Sequence, residues 1–106
     1  MRNTMRGSII VYRLPAGASE SDRVTFRHRL IGATTTSWGG KYRHHREGLL
    51  ETIPHRAILP GVIMVGPDDV ARVEEFLEEW RAALLVREVV LASEDLPYFK
   101  RRGPTR

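Results

Sequence analysis

The sequence has no cysteine, which excludes disulfides, thiolate catalysis and cysteine-based zinc sites. It also has no glutamine, a single asparagine (Asn3), and two lysines against fifteen arginines. A scarcity of heat-labile amides is typical of thermophilic proteins, although a GC-rich genome also raises the arginine content. Nothing in this composition indicates an oxidising compartment, so we expect a cytoplasmic protein.

Long hydrophobic runs are also missing. No apolar stretch approaches the ~20 residues that cross a bilayer, so we expect a soluble protein with no membrane partner. The phosphate-cradling patterns GxxxxGK[ST] and GxGxxG are absent, as is the metal-binding pattern HExxH. We therefore expect no cofactor, with a divalent metal only if the protein is an endonuclease.

The length of 106 residues predicts one small domain over residues 1–106, with a core at about 8–92 and a basic tail at 97–106. Charge is distributed unevenly along it. Residues 1–66 carry ten basic and four acidic side chains, residues 67–96 carry three and nine, and the last ten carry four basic and no acidic ones. All four histidines lie in the first, basic segment. This segregation predicts a polyanionic partner, most often nucleic acid.

The first half of the chain gives clear element signals. The run SIIVYRL at 8–14 predicts a central strand covered on both faces. Ser19 followed by Asp22 is a capping-box variant that predicts a helix over about 20–31, ending at Gly32. The runs at 33–38 and 41–45 flank two glycines, which predicts a tight β-hairpin.

The second half begins with an irregular or partly helical link, followed by a buried strand at 61–65. Apolar residues then recur at helical spacing from Val70 to Leu84 and make Trp80 a core residue. A closing strand is predicted at 85–92. The order of elements predicts an α+β fold, a ferredoxin-like βαββαβ sandwich with an additional β-hairpin.

The hairpin is the segment richest in functional side chains. In the predicted strand, Tyr42 and His44 share one face, and Lys41, Arg43 and His45 share the other. One face could stack on bases and the other neutralise phosphates, as single-stranded nucleic acid binding requires. Trp38 is either a second stacking platform or a packing residue at the edge of the core.

Three features together predict a set of nucleic-acid-binding residues. They are the basic and aromatic hairpin, the basic tail, and two arginines that interrupt the apolar stripe of the first helix. The set is Arg23, Arg27, Trp38, Lys41, Tyr42, Arg43, His44, Arg46, Arg101 and Arg102.

His44 and His45 are also candidate catalytic residues, because one histidine can act as general acid or base in metal-free RNA cleavage. Adjacent residues of a strand point to opposite faces, so these two cannot chelate one metal together.

The pattern of IIVYRL, then SDRVTFRHRL opening the first helix, then Gly32 and a hairpin resembles the Cas2-like superfamily over roughly residues 8–92. The resemblance implies a ferredoxin-like protomer, a homodimer and a nucleic-acid partner. In Cas2 nucleases the first strand ends in a metal-binding aspartate, within a pattern like VYD. Here the stretch is Val11-Tyr12-Arg13, and an arginine repels a metal ion and attracts a phosphate. The resemblance therefore adds Arg13 to the predicted set of nucleic-acid-binding residues.

Three functions remain open from the sequence. The leading hypothesis is a small nucleic-acid-binding protein, RNA ahead of DNA, acting alone or as an accessory subunit of a ribonucleoprotein. The alternative is a Cas2-like endonuclease that cleaves phosphodiester bonds. A further alternative is a protein–protein interaction module that docks a basic partner through its acidic second helix.

Overall fold

The computed structural model describes residues 5–99, so the predicted phosphate contacts Arg101 and Arg102 lie outside it. The described chain forms two compact units. The sheet unit contains residues 5–15 and 54–99, and the hairpin unit contains Ala16–Ile53. Helices and antiparallel sheets occur together, which confirms the predicted α+β class. A single domain stays a prediction.

The sheet unit is built on four antiparallel strands, β1 Arg6–Arg13, β4 His55–Leu59, β5 Val62–Val65 and β6 Ala83–Val90. Their order in the sheet is β4-β5-β1-β6. Strand β1 is central, as predicted. Strand β4 replaces part of the predicted link and was missed because it is a five-residue edge strand between two prolines.

The two faces of β1 are not equally covered. Ile10 is fully buried, but Val11, which points to the other face, is 38% exposed. Arg13 at the end of the strand is also exposed. The prediction that both faces are covered is therefore wrong: the sheet has one closed face and one partly open face.

Helix α2 (Val70–Glu79) is shorter than its apolar periodicity predicts. Val73 and Leu77 are fully buried, whereas Trp80 follows the helix and is only half-buried. The N–H of Ala82 donates to the Leu77 carbonyl at 3.0 Å, and Arg81 takes a φ of 56°. This is a Schellman-type ending, and it lets β6 start two residues earlier than predicted. Leu84 consequently belongs to β6, opposite Tyr12.

After β6 the chain makes a 3-10 turn, Ser93–Asp95, and the short helix α3, Leu96–Phe99. The Asp95 carboxylate accepts a hydrogen bond from the backbone N–H of Ala92 and pairs with Arg56. These two partners lower the pKa of Asp95, the backbone bond having the larger effect. The Arg56 guanidinium also lies 5.0 Å from the centroid of the Tyr98 ring.

The hairpin unit contains helix α1 (Glu20–Ile31), strands β2 (Gly32–Ser37) and β3 (Tyr42–Glu47), and a 3-10 turn at Leu49–Thr52. The Ser19 hydroxyl accepts from the N–H of Asp22 at 3.0 Å, and the Asp22 carboxylate accepts from the N–H of Ser19 at 3.4 Å. This capping box confirms the predicted helix and its start. Within residues 5–99, no helix is both long and apolar enough to span a membrane.

Candidate functional site

The register of the hairpin divides its side chains between two faces. Thr34 pairs with His45 and Thr35 pairs with His44, so the two histidines point to opposite sides, as predicted. One side, here the groove face, carries Ala33, Thr35, Ser37, Tyr42, His44 and Arg46. The other, here the Glu51 face, carries Thr34, Thr36, Arg43 and His45.

The tip of the hairpin is a turn from Trp38 to Lys41. Trp38, Gly39 and Gly40 have φ values of 56°, 64° and 88°, and the N–H of Lys41 donates to the Trp38 carbonyl at 3.2 Å. Two glycines allow this left-handed path at little cost. Lys41 lies in the turn, which corrects its predicted place in the strand. Trp38 is 78% exposed, so it does not pack at the edge of the core.

Strand β3 is exposed along its whole length. Its cations are Arg43 and Arg46, and Lys41 lies beside it in the turn. No ion pair within residues 5–99 includes any of these three side chains. Tyr42 is 52% exposed between them. The strand thus presents unneutralised positive charge together with an aromatic ring, and two-residue spacing assigns Arg43 to one face and Tyr42 and Arg46 to the other.

On the Glu51 face, His45 is held at both ring nitrogens. Its Nδ1 lies 2.8 Å from the Thr34 hydroxyl, and its Nε2 lies 3.0 Å from the Glu51 carboxylate. A carboxylate only accepts, so Nε2 carries a proton and donates to Glu51. The Glu51 carboxylate also accepts from the backbone N–H of Gly48 at 2.7 Å. The Gly48 bond, and then that of His45, lowers the pKa of Glu51.

The groove face and α1 enclose an open polar groove of about 630 Å³. Its lining residues are Thr25, His28 and Arg29 from α1, and Ala33, Thr35, Arg46 and Glu47 from the hairpin. Arg46 was predicted as a phosphate contact, whereas His28 and Arg29 were missed.

The predicted helix arginines Arg23 and Arg27 are exposed but do not line the groove. Arg27 and Arg29 are two residues apart and therefore project about 200° apart around the helix axis. The structure thus brings Arg29, not Arg23 or Arg27, beside Arg46.

Arg13 is the one described member of the predicted set that belongs to the sheet unit. It lies opposite Ala83 and, with Val11 and Leu85, lines an open and largely apolar depression. Among the described residues, no group of three or more histidines and acids could hold a metal ion.

No family model, curated protein or solved structure matches the chain. The assignment of a function therefore depends on the chemistry of the residues themselves.

Proposed function

We propose that the protein binds single-stranded nucleic acid, RNA ahead of DNA, through the hairpin formed by β2 and β3. The observation that carries the proposal is that the exposed cations of β3, which form no ion pair within residues 5–99, lie beside the exposed rings of Trp38 and Tyr42. Cations that lack an acidic partner in their own chain are available to phosphates. Exposed aromatic rings are available to unpaired bases.

Each side-chain class has a separate task in this proposal. Lys41, Arg43 and Arg46 neutralise phosphates, and the arginines can do so through paired N–H donors. Trp38 and Tyr42 stack on bases, which favours single strands because their bases are not already stacked in a duplex. The protein would act alone or as an accessory subunit of a ribonucleoprotein.

We further propose that the fold is ferredoxin-like. This fold would agree with the resemblance to the Cas2-like superfamily, which implies a homodimer. The supporting observation is the order of the strands that form the larger sheet. They follow one another as β1, β4, β5 and β6, with α1 before the second and α2 before the fourth. This alternation is that of a βαββαβ chain in which the β2–β3 hairpin is an insertion.

Salt-dependent binding tests the proposed function. Affinity for a fluorescent single-stranded RNA should fall steeply as salt is raised, and Arg43→Gln should reduce the logarithmic slope by about 0.7. Arg72→Gln is the matched control, since Arg72 lies on the acidic helix α2 near Asp69 and should leave the slope unchanged. Association that does not depend on salt would contradict the proposal and favour the interaction module.

A second function, RNA cleavage, is favoured by one observation. His45 is oriented by Glu51 and also touches a hydroxyl, an arrangement that suits general acid–base chemistry. Incubating labelled RNA with magnesium, manganese or EDTA tests it directly. Cleavage that His45→Ala removes and His44→Ala retains would establish the endonuclease.

A further inference from the structure

The groove between α1 and the groove face holds two guanidinium groups. We propose that it binds the terminal phosphate monoester of a nucleic-acid strand, an inference that rests on the proposed function and names the end of the ligand. Arg29 lines this groove from α1, and Arg46 lines it from β3. Neither forms an ion pair among residues 5–99.

Two unneutralised arginines repel each other across a shared groove, and an anion between them removes that repulsion. The remaining lining groups suit the same ligand. The hydroxyls of Thr25 and Thr35 can donate hydrogen bonds, and His28 supplies a further ring N–H. A phosphate offers these donors several acceptor oxygens, and an arginine can engage two of them at once.

A terminal phosphate fits this site better than a phosphate within the chain. A monoester carries about −1.5 to −2 charge at neutral pH, whereas an internal diester carries only a single negative charge. Two cations facing one groove therefore match the charge of the monoester.

The corner where α1 joins the hairpin is tightly packed. Helix α1 passes directly into β2 at Ile31–Gly32, with no intervening loop. The chain at Gly48 packs so closely on this corner that a Cβ atom there would overlap the backbone of Ile31 and Gly32. This close contact holds α1 against the hairpin and so keeps Arg29 and Arg46 at one groove.

The groove face extends from the tip of the hairpin to the groove. Tyr42, His44 and Arg46 alternate along it, so their side chains form one row of about 13 Å from the tip to the groove. A single strand could lie along this row with bases near Tyr42 and its terminal phosphate between Arg46 and Arg29.

One lining group acts against an anion. Glu47 also lines the groove and follows Arg46 directly in the sequence, so its negative charge is close to the bound anion. It limits affinity for any anion, so removing its charge should strengthen phosphate binding. Glu47→Gln and Arg29→Gln therefore change affinity in opposite directions if the groove is the site.

The experiment compares three single-stranded RNAs of one sequence, with a 5′-phosphate, a 3′-phosphate or hydroxyls at both ends. One of the two phosphorylated strands should bind about tenfold more tightly than the hydroxyl strand. Arg29→Gln and Arg46→Gln should each reduce this preference to less than about threefold, and Glu47→Gln should increase it. Arg43→Gln, on the opposite face of β3, should weaken all three strands and leave the preference unchanged.

The outcomes separate the two proposals. Equal, salt-dependent binding of all three RNAs would overturn the terminal-phosphate site and leave the proposed function standing. Loss of the preference in Arg43→Gln but not in Arg29→Gln would also overturn it. If none of the RNAs binds, the proposed function fails and this inference fails with it. Circular dichroism of each variant checks that the hairpin unit is still folded.

Discussion

At the scale of the residue, Trp38 has the clearest expected effect. It is 78% exposed at the tip of the hairpin and contributes little to folding. We predict that Trp38→Ala weakens single-stranded RNA binding by about 1–3 kcal/mol, because a stacking platform is lost. The melting temperature should stay within a few degrees of wild type. Fluorescence anisotropy and thermal melting measure the two effects, and unfolding of the variant would show that Trp38 is structural.

Glu51 gives a pH-dependent prediction. Its pKa is lowered in the folded protein by the Gly48 N–H and by His45, so its ionised form stabilises the fold. This stabilisation is present above the pKa of the unfolded chain and is lost as the pH falls through the lowered, folded pKa. Glu51→Gln should therefore destabilise the protein at about pH 7, and the difference from wild type should shrink towards about pH 3.

Urea unfolding at several pH values measures the Glu51 effect. The control is Glu75→Gln, which changes an exposed glutamate of α2. A difference between wild type and Glu51→Gln that grows in acid would contradict the assigned hydrogen bonds.

At the scale of the element, the end of α2 changes what Trp80 is expected to contribute. A fully buried tryptophan costs about 3–5 kcal/mol when truncated to alanine. Trp80 is half-buried after the last helical residue, with its ring 6.4 Å from that of Phe76. We therefore predict about 2 kcal/mol for Trp80→Ala, less than for Leu77→Ala, which removes a fully buried side chain. Urea unfolding of both variants gives the comparison, and the reverse ranking would contradict it.

Elements with local signals could be predicted from the sequence. The Ser19–Asp22 capping box determined the start of α1, and Gly39-Gly40 determined the turn of the hairpin. The end of α2 could not be predicted because Arg81, rather than a glycine, takes the left-handed position of its C-terminal motif. Strand β4 has five residues and gains its structure from pairing with β5, which no local pattern reveals.

The residues of the candidate site also divide into those that a local sequence pattern predicts and those that only the folded structure shows. The basic and aromatic residues of β3 were found because strand alternation assigns each of them to a face. The apolar stripe of α1 indicates Arg23 and Arg27, which interrupt it, and gives no signal for His28 and Arg29. Only the packing of α1 against the hairpin shows which side of the helix borders the groove, and that packing depends on the close approach of Gly48.

At the scale of the whole molecule, the charge distribution and the ion pairs agree on where an anion can bind. Within residues 5–99, three of the four ion pairs belong to the sheet unit, and the fourth joins His45 to Glu51 in the hairpin unit. In the same described part of the chain, the five arginines and the lysine of the hairpin unit have no acidic partner, and Arg13, Arg81 and Arg87 of the sheet unit also lack one. The hairpin unit carries six basic and four acidic side chains, whereas residues 5–15 and 54–99 carry six and nine. The unit with excess positive charge is the one suited to holding a polyanion.

Arg13 tests whether the protein holds nucleic acid or cuts it. It is exposed at the end of β1, where the Cas2-like resemblance implies a metal-binding aspartate. If this position holds phosphate, the wild-type protein should bind RNA equally well in magnesium and in EDTA, and no cleavage should follow. Arg13→Asp should weaken binding, because it places a negative charge where a phosphate lies. The control Arg87→Asp reverses an exposed charge within β6 and should have a smaller effect. Metal-dependent cleavage by the purified wild type, absent after His45→Ala, would instead make the endonuclease the better account, because a base held by Glu51 would then be acting on a bound strand.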